Sequence, residues 1–360
     1  MEGKHDVHHL SKFRDLVFRI PKVFILVAIT CMIVGFALLR FYFRLTDRVI
    51  DLKEKKSCYF YIHTGSVFEA VKDSLVKKGY LTDPEKFEWL AQRKNYDQHI
   101  KPGRYRLMNG MRNNELVNLL RSGNQEPVKI VIQNVRTNNE LAGKIGKYLE
   151  IDSTQLMERF TDTSYLARFD LTPPTLFVLF VPDTYEFYWN TSVDQLFERM
   201  QREYEHFWNS RRRHQADSLH LSKAEVVSLA SIVEKESNKN EEKPVIAGVY
   251  INRLKKQIPL QADPTVIFAL NDYRIRRVIK KHTEIKSPYN TYYFSGLPPG
   301  PICLPSKSSV DAVLHAADHS YLYFCAREDF SGYHNFAADL KTHNRNAQKY
   351  QKALNKMNIK

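Results

Sequence analysis

One carboxylate in the sequence has the surroundings that acid–base catalysis requires. Glu236 follows Leu229, Ile232 and Val233 at helical spacing, which places all four side chains on one face of a helix. Ionising a carboxylate on an apolar face is unfavourable, so its pKa should rise. The helix C-terminus acts in the same direction, because its partial negative charge disfavours another negative charge. A carboxyl group that keeps its proton near neutral pH can serve as a general acid.

The helix that carries Glu236 has a recognisable start. Ser222 and Glu225 form a capping box ahead of an apolar run, which gives Glu225 a structural role. We expect the helix to continue over residues 226–237. Glu234 lies about 200° around it from Glu236, at the edge of the apolar arc. An alternative role for Glu236 is an ion pair with a distant arginine that only stabilises the fold.

An apolar run near the N-terminus predicts one membrane span at residues 23–43. Residues 23–39 carry no charge, and the aromatic residues 41–43 extend the apolar character. About 20 helical residues cross a hydrocarbon core of roughly 30 Å. A buried core helix and a cleaved signal peptide are the alternatives. The run is long for either, and no small-residue cleavage site follows it.

Basic residues ahead of the span predict its orientation. Lys12, Arg14, Arg19 and Lys22 belong to a tail of residues 1–22, and positive charge favours the cytoplasmic side of a membrane. The charges that follow the span are mixed in sign. The rest of the chain is therefore expected outside the cytoplasm.

The overall composition is that of a globular protein with a basic surface. Hydrophobic residues make up 43% and charged residues 26%, and 54 Lys and Arg against 40 Asp and Glu give a net charge of +14. Such a balance favours polyanions, namely nucleic acid, anionic lipid or an acidic wall polymer, although a merely solvated basic surface is the alternative. No zinc-finger spacing or aromatic RNA-binding signature supports nucleic acid.

The cysteines indicate no metal site. The four residues, Cys31, Cys58, Cys303 and Cys325, form no CxxC pair, and no other ligand cluster is apparent, so neither a metal nor a cofactor is expected. A disulfide between Cys303 and Cys325 would be compatible with a compartment outside the cytoplasm. Free thiols are the default expectation.

Strand and helix patterns alternate beyond the span, which predicts an α+β protein. Residues 44–128 form a small first unit, and residues 129–360 form a larger mixed α/β unit. Within the latter, the apolar run 176–181 resembles a buried strand. It leads into a segment, 182–190, whose aromatic residues could form either core or a platform for sugar rings. These residues are Tyr185, Tyr188 and Trp189.

The chain resembles one known family, the endolytic murein transglycosylases of the YceG-like family, through several motifs that occur in the same order. They are Pro182–Phe187, Leu229–Ser237, Val249–Leu254, Leu260–Val266, Ser287–Tyr292, Gly296–Gly300 with Pro305, Tyr321–Phe324, and His334 with Phe336, His343 and Asn344. The resemblance extends from the apolar run to the C-terminus.

The resemblance implies a fold, a location and a reaction. It implies a single-pass inner-membrane protein, with a LysM-like subdomain at 44–128 and a catalytic domain at 129–360 in the periplasm. Members cleave the β-1,4 bond between N-acetylmuramic acid and N-acetylglucosamine in nascent glycan strands and leave a 1,6-anhydro-muramic end. The essential glutamate of the family corresponds to Glu236. Peptidoglycan is the implied substrate, and peptidoglycan synthases are candidate partners.

The resemblance and the motifs also suggest residues that could support Glu236. These substrate-binding candidates are Ser231, Gln261, Asp263, Tyr289, Asn290, Thr291 and Tyr185. Each of them could instead be structural. The segments 133–136 and 176–181 depart from the Pro-Glu-Gly and Glu-Gly runs that are common in the family, which puts substrate contacts near these two segments in question.

Two other classes of function compete with an enzyme. A non-catalytic wall-binding scaffold would use the membrane anchor and the first unit without any chemistry at Glu236. A membrane-tethered nucleic-acid binder is supported only by the net charge.

Overall fold

The computed structural model describes residues 22–357, which belong to two compact units. The division lies between Glu126 and Pro127. Most of the predicted tail, including Lys12, Arg14 and Arg19, lies outside the described residues. The predicted orientation of the span therefore stays a prediction.

The first described element is a long apolar helix, α1, at Lys22–Thr46. Its most apolar window has a mean hydropathy of 2.6, and none of that window is buried within the protein. Within residues 22–357 it is the one helix that is long and apolar enough to cross a membrane. The helix is thus compatible with a single-pass anchor over the predicted span.

The first unit continues as a small mixed structure in the order strand–helix–helix–strand–helix. Its elements are β1 at Ser57–Ile62, α2 at Phe68–Lys77, α3 at Pro84–Arg93, β2 at Gly103–Met108 and α4 at Asn113–Ser122. Strands β1 and β2 are antiparallel, with Ser57 opposite Met108. Helix α3 begins where Asp83 accepts a hydrogen bond from the backbone N–H of Lys86.

The second unit is mostly helical and contains two small antiparallel sheets, β3–β4 and β5–β6. Its elements are β3 at Val128–Ile132, α5 at Asn138–Gly146, α6 at Ser153–Thr161, α7 at Thr163–Ala167, β4 at Asp183–Phe187, α8 at Val193–Phe207, α9 at Ser210–Ser218, α10 at Lys223–Glu236, α11 at Lys243–Lys255, α12 at Asp263–Leu270, α13 at Lys280–Thr283, α14 at Lys307–Leu314, β5 at Tyr323–Ala326, β6 at His334–Ala337 and α15 at Leu340–Lys356. The predicted mixture of helices and strands is confirmed.

Helix α10 is the centre of this unit. Ser222 and Glu225 make both hydrogen bonds of the predicted capping box, at 3.2 and 2.8 Å. The eight residues 226–233 are all buried, and the helix packs against α11, α12 and α14. The buried hydroxyl group of Ser231 is satisfied: it donates to a carbonyl of its own helix and accepts from the backbone N–H of Ile302 at 3.0 Å. The helix is therefore fixed on every side up to its last turn.

The predicted strand at 176–181 is wrong. A 3-10 helix occupies Pro173–Val178, and its first turn is closed by hydrogen bonds between Thr172 and Thr175. Pro173 and Pro174 have no backbone N–H to donate to a sheet. The apolar run is buried on all sides, and burial alone does not distinguish a strand from a helical turn.

The aromatic cluster at 182–190 is mostly core. Tyr185 and Trp189 are buried, whereas Tyr188 keeps 55% of its surface exposed. A sugar platform made of all three rings is therefore not present, and the core interpretation holds for two of them.

Replacement of Gly300 by alanine should destabilise the second unit. An added Cβ would lie 2.0 Å from the carbonyl oxygen of Pro174, so the loop and the 3-10 helix would have to separate. We expect a loss of about 1–3 kcal/mol, measured by chemical denaturation of the detergent-solubilised chain. Gly143→Ala is the matched control, because that helical position is open and alanine favours helix there. Equal stabilities of the two variants would contradict the close contact.

Candidate active site

A pocket of about 260 Å³ in the second unit contains the carboxyl group of Glu236. Residues of α10, α11, α12, β5 and α15 contribute to its wall, together with the segments that precede α12 and β5 and the segment between α13 and α14. The lining residues are Glu236, Tyr250, Arg253, Leu260, Gln261, Asp263, Tyr292, Leu322, Tyr323, Phe324 and His343. Glu236 itself is half-buried, so its carboxyl group faces this space rather than bulk solvent.

Tyr250 fixes the orientation of the Glu236 carboxyl group. The hydroxyl group of this buried tyrosine donates a hydrogen bond to Oε1 of Glu236 at 2.6 Å. Its ring packs edge-on against Phe324, with 5.8 Å between the ring centroids. The second carboxyl oxygen of Glu236 is left available to a substrate in the pocket.

The environment of Glu236 raises its pKa to about 7. Burial is the main cause, because the charged form loses its hydration. The hydrogen bond from Tyr250 opposes the shift, and the nearby charge of Asp263 adds to it. The shift has the direction that an apolar helix face predicts. The alternative ion pair is not what holds Glu236, whose observed hydrogen-bond partner is Tyr250.

Glu234, only two residues away, has the opposite behaviour. Burial alone would raise its pKa, but hydrogen bonds from Ser306, Ser309 and Lys243 outweigh burial and lower it. Lys243 lies 3.0 Å from the carboxylate and Ser306 lies 2.6 Å from it. Glu234 is therefore an ionised structural group that ties α10 to α11 and to the start of α14.

Arg253 forms part of the pocket wall. Its guanidinium group donates to the carbonyl oxygen of Leu260 at 2.6 Å and to Oε1 of Gln261 at 3.0 Å. It also lies 5.4 Å from the ring centroid of Tyr323, onto which His343 stacks. Burial and the nearby Arg253 charge lower the pKa of His343, so that its ring is neutral near pH 7.

A second carboxyl group faces the same pocket. Asp263, at the start of α12, accepts a hydrogen bond of 2.6 Å from the hydroxyl group of Tyr292. Desolvation raises the pKa of Asp263, and this hydrogen bond only partly opposes the effect. The pocket thus contains two carboxyl groups, each of which accepts a hydrogen bond from one tyrosine.

Of the predicted substrate-binding residues, Gln261 and Asp263 lie with Glu236. Ser231, Asn290 and Thr291 are buried and make structural hydrogen bonds. Asn290 donates to two backbone carbonyls of its own loop, and Thr291 accepts from the backbone N–H at position 262. These three residues position the elements around the pocket and do not line it.

Two further predicted residues lie elsewhere. Tyr289 packs against Phe268, with 4.6 Å between the ring centroids, and lines a different pocket. Tyr185 is buried, and its hydroxyl group donates to the carbonyl oxygen of Val181 at 2.5 Å.

Several lining residues were not identified as site residues from the sequence, although motifs contained them. Tyr250 and Arg253 are spaced three apart on α11, whose neighbouring residues are apolar and buried. Polar side chains on one face of a buried helix are a signal that could have indicated them. Tyr323 and His343 come from distant elements, and only the fold brings them together. Within residues 22–357 no three His, Cys, Asp or Glu side chains converge as metal ligands would.

The stability of the protein should depend on pH through Glu236. Its folded-state pKa of about 7 exceeds the usual 4.5, so its contribution is fully present below about pH 4.5 and is lost as the pH rises through 7. Glu236→Gln should therefore be more stable than the wild type at pH 8, by up to roughly 3 kcal/mol, and equally stable at pH 4. Denaturation at both pH values tests this, with Glu225→Gln as the control. If the stabilities of the wild type and Glu236→Gln changed with pH in the same way, the raised pKa of Glu236 would be contradicted.

Comparisons with known proteins agree on one family. The model of the YceG-like family matches residues 60–349. The chain is 28% identical to the endolytic murein transglycosylase of Bacillus subtilis (strain 168) over 326 residues, which cover 85% of this chain and 88% of that protein. It is 26% identical over 336 residues to the endolytic murein transglycosylase of Streptococcus pneumoniae serotype 2 (strain D39), covering 84% of this chain and 60% of that longer protein.

A solved structure shows the same relationship. The crystal structure of a yceG-like protein from Listeria monocytogenes superposes with a TM-score of 0.54 at 28% identity, and the match covers 81% of this chain and 99% of that chain. The family match includes the whole of α10 and the pocket residues from Glu236 to His343. The chain belongs to the YceG-like family.

Proposed function

We propose that this protein is a membrane-anchored lytic transglycosylase that cleaves the β-1,4 bond between N-acetylmuramic acid and N-acetylglucosamine inside glycan strands, with Glu236 as its acid and base. One observation carries the proposal: a carboxyl group with a pKa near 7 faces a pocket in a YceG-like protein. Relatives named endolytic murein transglycosylases support the substrate class.

The reaction needs one group that first gives and then takes a proton. Protonated Glu236 donates its proton to the glycosidic oxygen as the bond from that oxygen to C1 of the muramic residue breaks. The resulting carboxylate then accepts the proton of the muramic 6-hydroxyl group, whose oxygen forms a new bond to C1. The products are a 1,6-anhydro end and a free 4-hydroxyl group. No water is consumed, and the internal nucleophile benefits from a high effective concentration.

Neighbouring residues prepare Glu236 for both steps. The hydrogen bond from Tyr250 stabilises the Glu236 carboxylate after the first proton transfer, but it does not prevent protonation of Glu236 near pH 7. Asp263, when ionised, can stabilise the positive charge that develops at C1. Arg253 holds the side chain of Gln261 at the pocket wall, where its amide can bond to a sugar hydroxyl group.

The membrane helix and the first unit support a location at the cell wall. In this proposal α1 anchors the chain in the inner membrane, with the N-terminus in the cytoplasm and the catalytic unit in the periplasm. The strand–helix–helix–strand order from β1 to β2 supports a LysM-like, glycan-binding role for the first unit. Anchoring would keep the enzyme close to newly made strands and to the synthases that make them.

The second carboxyl group favours one alternative reaction. Asp263 lies in the same pocket as Glu236, and ordinary glycosidases use a pair of carboxyl groups to hydrolyse the bond. Hydrolysis would leave a reducing muramic end instead of an anhydro end. The chemistry of the new ends therefore separates the two reactions.

Glu236→Gln should abolish cleavage of purified peptidoglycan, because glutamine can neither donate nor accept the proton. Glu225→Gln is the matched control on the same helix, since glutamine also completes a capping box, and it should cut like the wild type. Mass spectrometry of the digests should find 1,6-anhydro-muramic ends with wild type and control.

Three outcomes would count against the proposal. Anhydro ends from Glu236→Gln would remove this residue from its role. Reducing ends from the wild type would identify a hydrolase. A wild type that binds glycan but never cuts it, with Glu236→Gln equally able to support growth, would identify a scaffold.

The rate of cleavage should follow the protonation of Glu236. Because the acid form begins the reaction, kcat/KM should fall as the pH rises through about 7. Tyr250→Phe removes the hydrogen bond that lowers this pKa, so the fall should move to higher pH. Tyr148→Phe, at an exposed position, should leave the midpoint unchanged. An unchanged midpoint in Tyr250→Phe would contradict the assignment of this pH dependence to Glu236.

A further inference from the structure

Two adjoining pockets lie beside the Glu236 pocket and have no part in the reaction described above. Their volumes are about 290 and 160 Å³, and they share Arg136, Phe268 and Tyr273 as lining residues. Phe268 of α12 lines both pockets, and its ring centroid lies 4.6 Å from that of Tyr289. The two pockets together are called the depression.

The smaller pocket combines two cations with an apolar floor. Arg136 and Lys235 both line it, and three isoleucines and Pro264 supply most of the remaining surface. The guanidinium group of Arg136 lies over the ring of Tyr273, 5.4 Å from its centroid. Neither Arg136 nor Lys235 belongs to any of the ion pairs found among residues 22–357. Both positive charges are thus available to a ligand.

One acidic side chain close to the backbone of Arg136 is already engaged. Glu140 accepts a hydrogen bond of 2.7 Å from the backbone N–H of Arg136, which caps the start of α5 and leaves the guanidinium group free. No Asp or Glu lines either of the two pockets. An anion entering them would meet positive charge without a competing carboxylate in the wall.

The depression and the catalytic pocket are lined by residues that are adjacent in the chain. Lys235 precedes Glu236, and Pro264 follows Asp263, so two residues of each site have a direct neighbour in the other. An extended peptide spans about 3.3–3.6 Å per residue. A peptide branch of a few residues on a sugar at Glu236 is therefore long enough to reach the depression.

We propose that Arg136 and Lys235 bind the carboxylates of the peptide stem carried by the muramic residue at the scissile bond. The inference rests on the proposed function, because it assumes a muramic residue at Glu236. A peptide stem branches from the sugar and presents free carboxylates next to short aliphatic side chains. A guanidinium group binds carboxylates in a bidentate manner, and the isoleucine floor suits the aliphatic part.

The test compares strands with and without peptides. Amidase treatment yields glycan strands of the same length that lack stems, and binding of both kinds is measured with the full-length Glu236→Gln protein, which does not turn them over. We expect about tenfold tighter binding of the stem-bearing strands, as for one charge-assisted contact. Adding Arg136→Met and Lys235→Met should abolish this preference and leave the affinity for peptide-free strands unchanged.

A control pair removes the same charge elsewhere. Arg211→Met with Lys255→Met changes two exposed residues outside these pockets and should keep the preference. Equal affinities of the starting protein for the two strands would overturn the proposal. A preference for stem-bearing strands that persists in the Arg136→Met, Lys235→Met variant would also overturn it. An equal loss of affinity for both kinds of strand would do the same.

The two proposals can fail separately. A wild type that cuts neither kind of strand would refute the proposed function, while the binding comparison would still decide whether the depression recognises stems. Thermal unfolding of the double variant should match that of the control pair. If the double variant does not fold, Arg136→Met alone decides: it should lose most of the preference, and an unchanged preference would overturn the proposal.

Discussion

At the C-terminal end of α10, the carboxyl group of Glu236 is held away from bulk water, because the packing of the helix fixes the direction of this side chain. Eight consecutive residues of that helix are buried, and a capping box fixes its start. Tyr250 then holds the one carboxyl oxygen that faces α11. Partial desolvation raises the pKa of Glu236 to about 7, where proton donation and acceptance are both possible. The pocket, the proposed reaction and the recognition of a branched substrate all depend on this placement.

Two glutamates on one helix show how the surroundings, and not the residue type, decide the role. Glu234 and Glu236 are both removed from water, yet their pKa values move in opposite directions. Three donors, including Lys243, surround Glu234 and keep it ionised, so that it ties elements together. At Glu236, burial outweighs the single hydrogen bond from Tyr250, and the nearby charge of Asp263 adds to the effect of burial, so this carboxyl group is able to carry a proton.

The sequence predicted what depends on local pattern. The apolar helix α1, the capping box of α10 and the raised pKa of Glu236 follow from spacing and residue type, and the structure agrees. The strand expected at 176–181 was wrong, because a run buried on all sides has no periodicity to read and two prolines favour a 3-10 turn. Tyr323 and His343 could not be assigned from spacing, since these residues of two separate elements meet only after folding. Ser231, Asn290 and Thr291 belong to the motifs, yet their hydrogen bonds position the elements around the pocket.

The most direct test of this account is a titration of the Glu236 carboxyl group itself. Carbon-13 labelling of glutamate, with the resonance assigned by its disappearance in Glu236→Gln, reports protonation of this side chain without any substrate. The account predicts a titration midpoint near 7. A midpoint near the ordinary 4.5 would show a well-hydrated carboxylate at the end of α10 and would contradict the central claim.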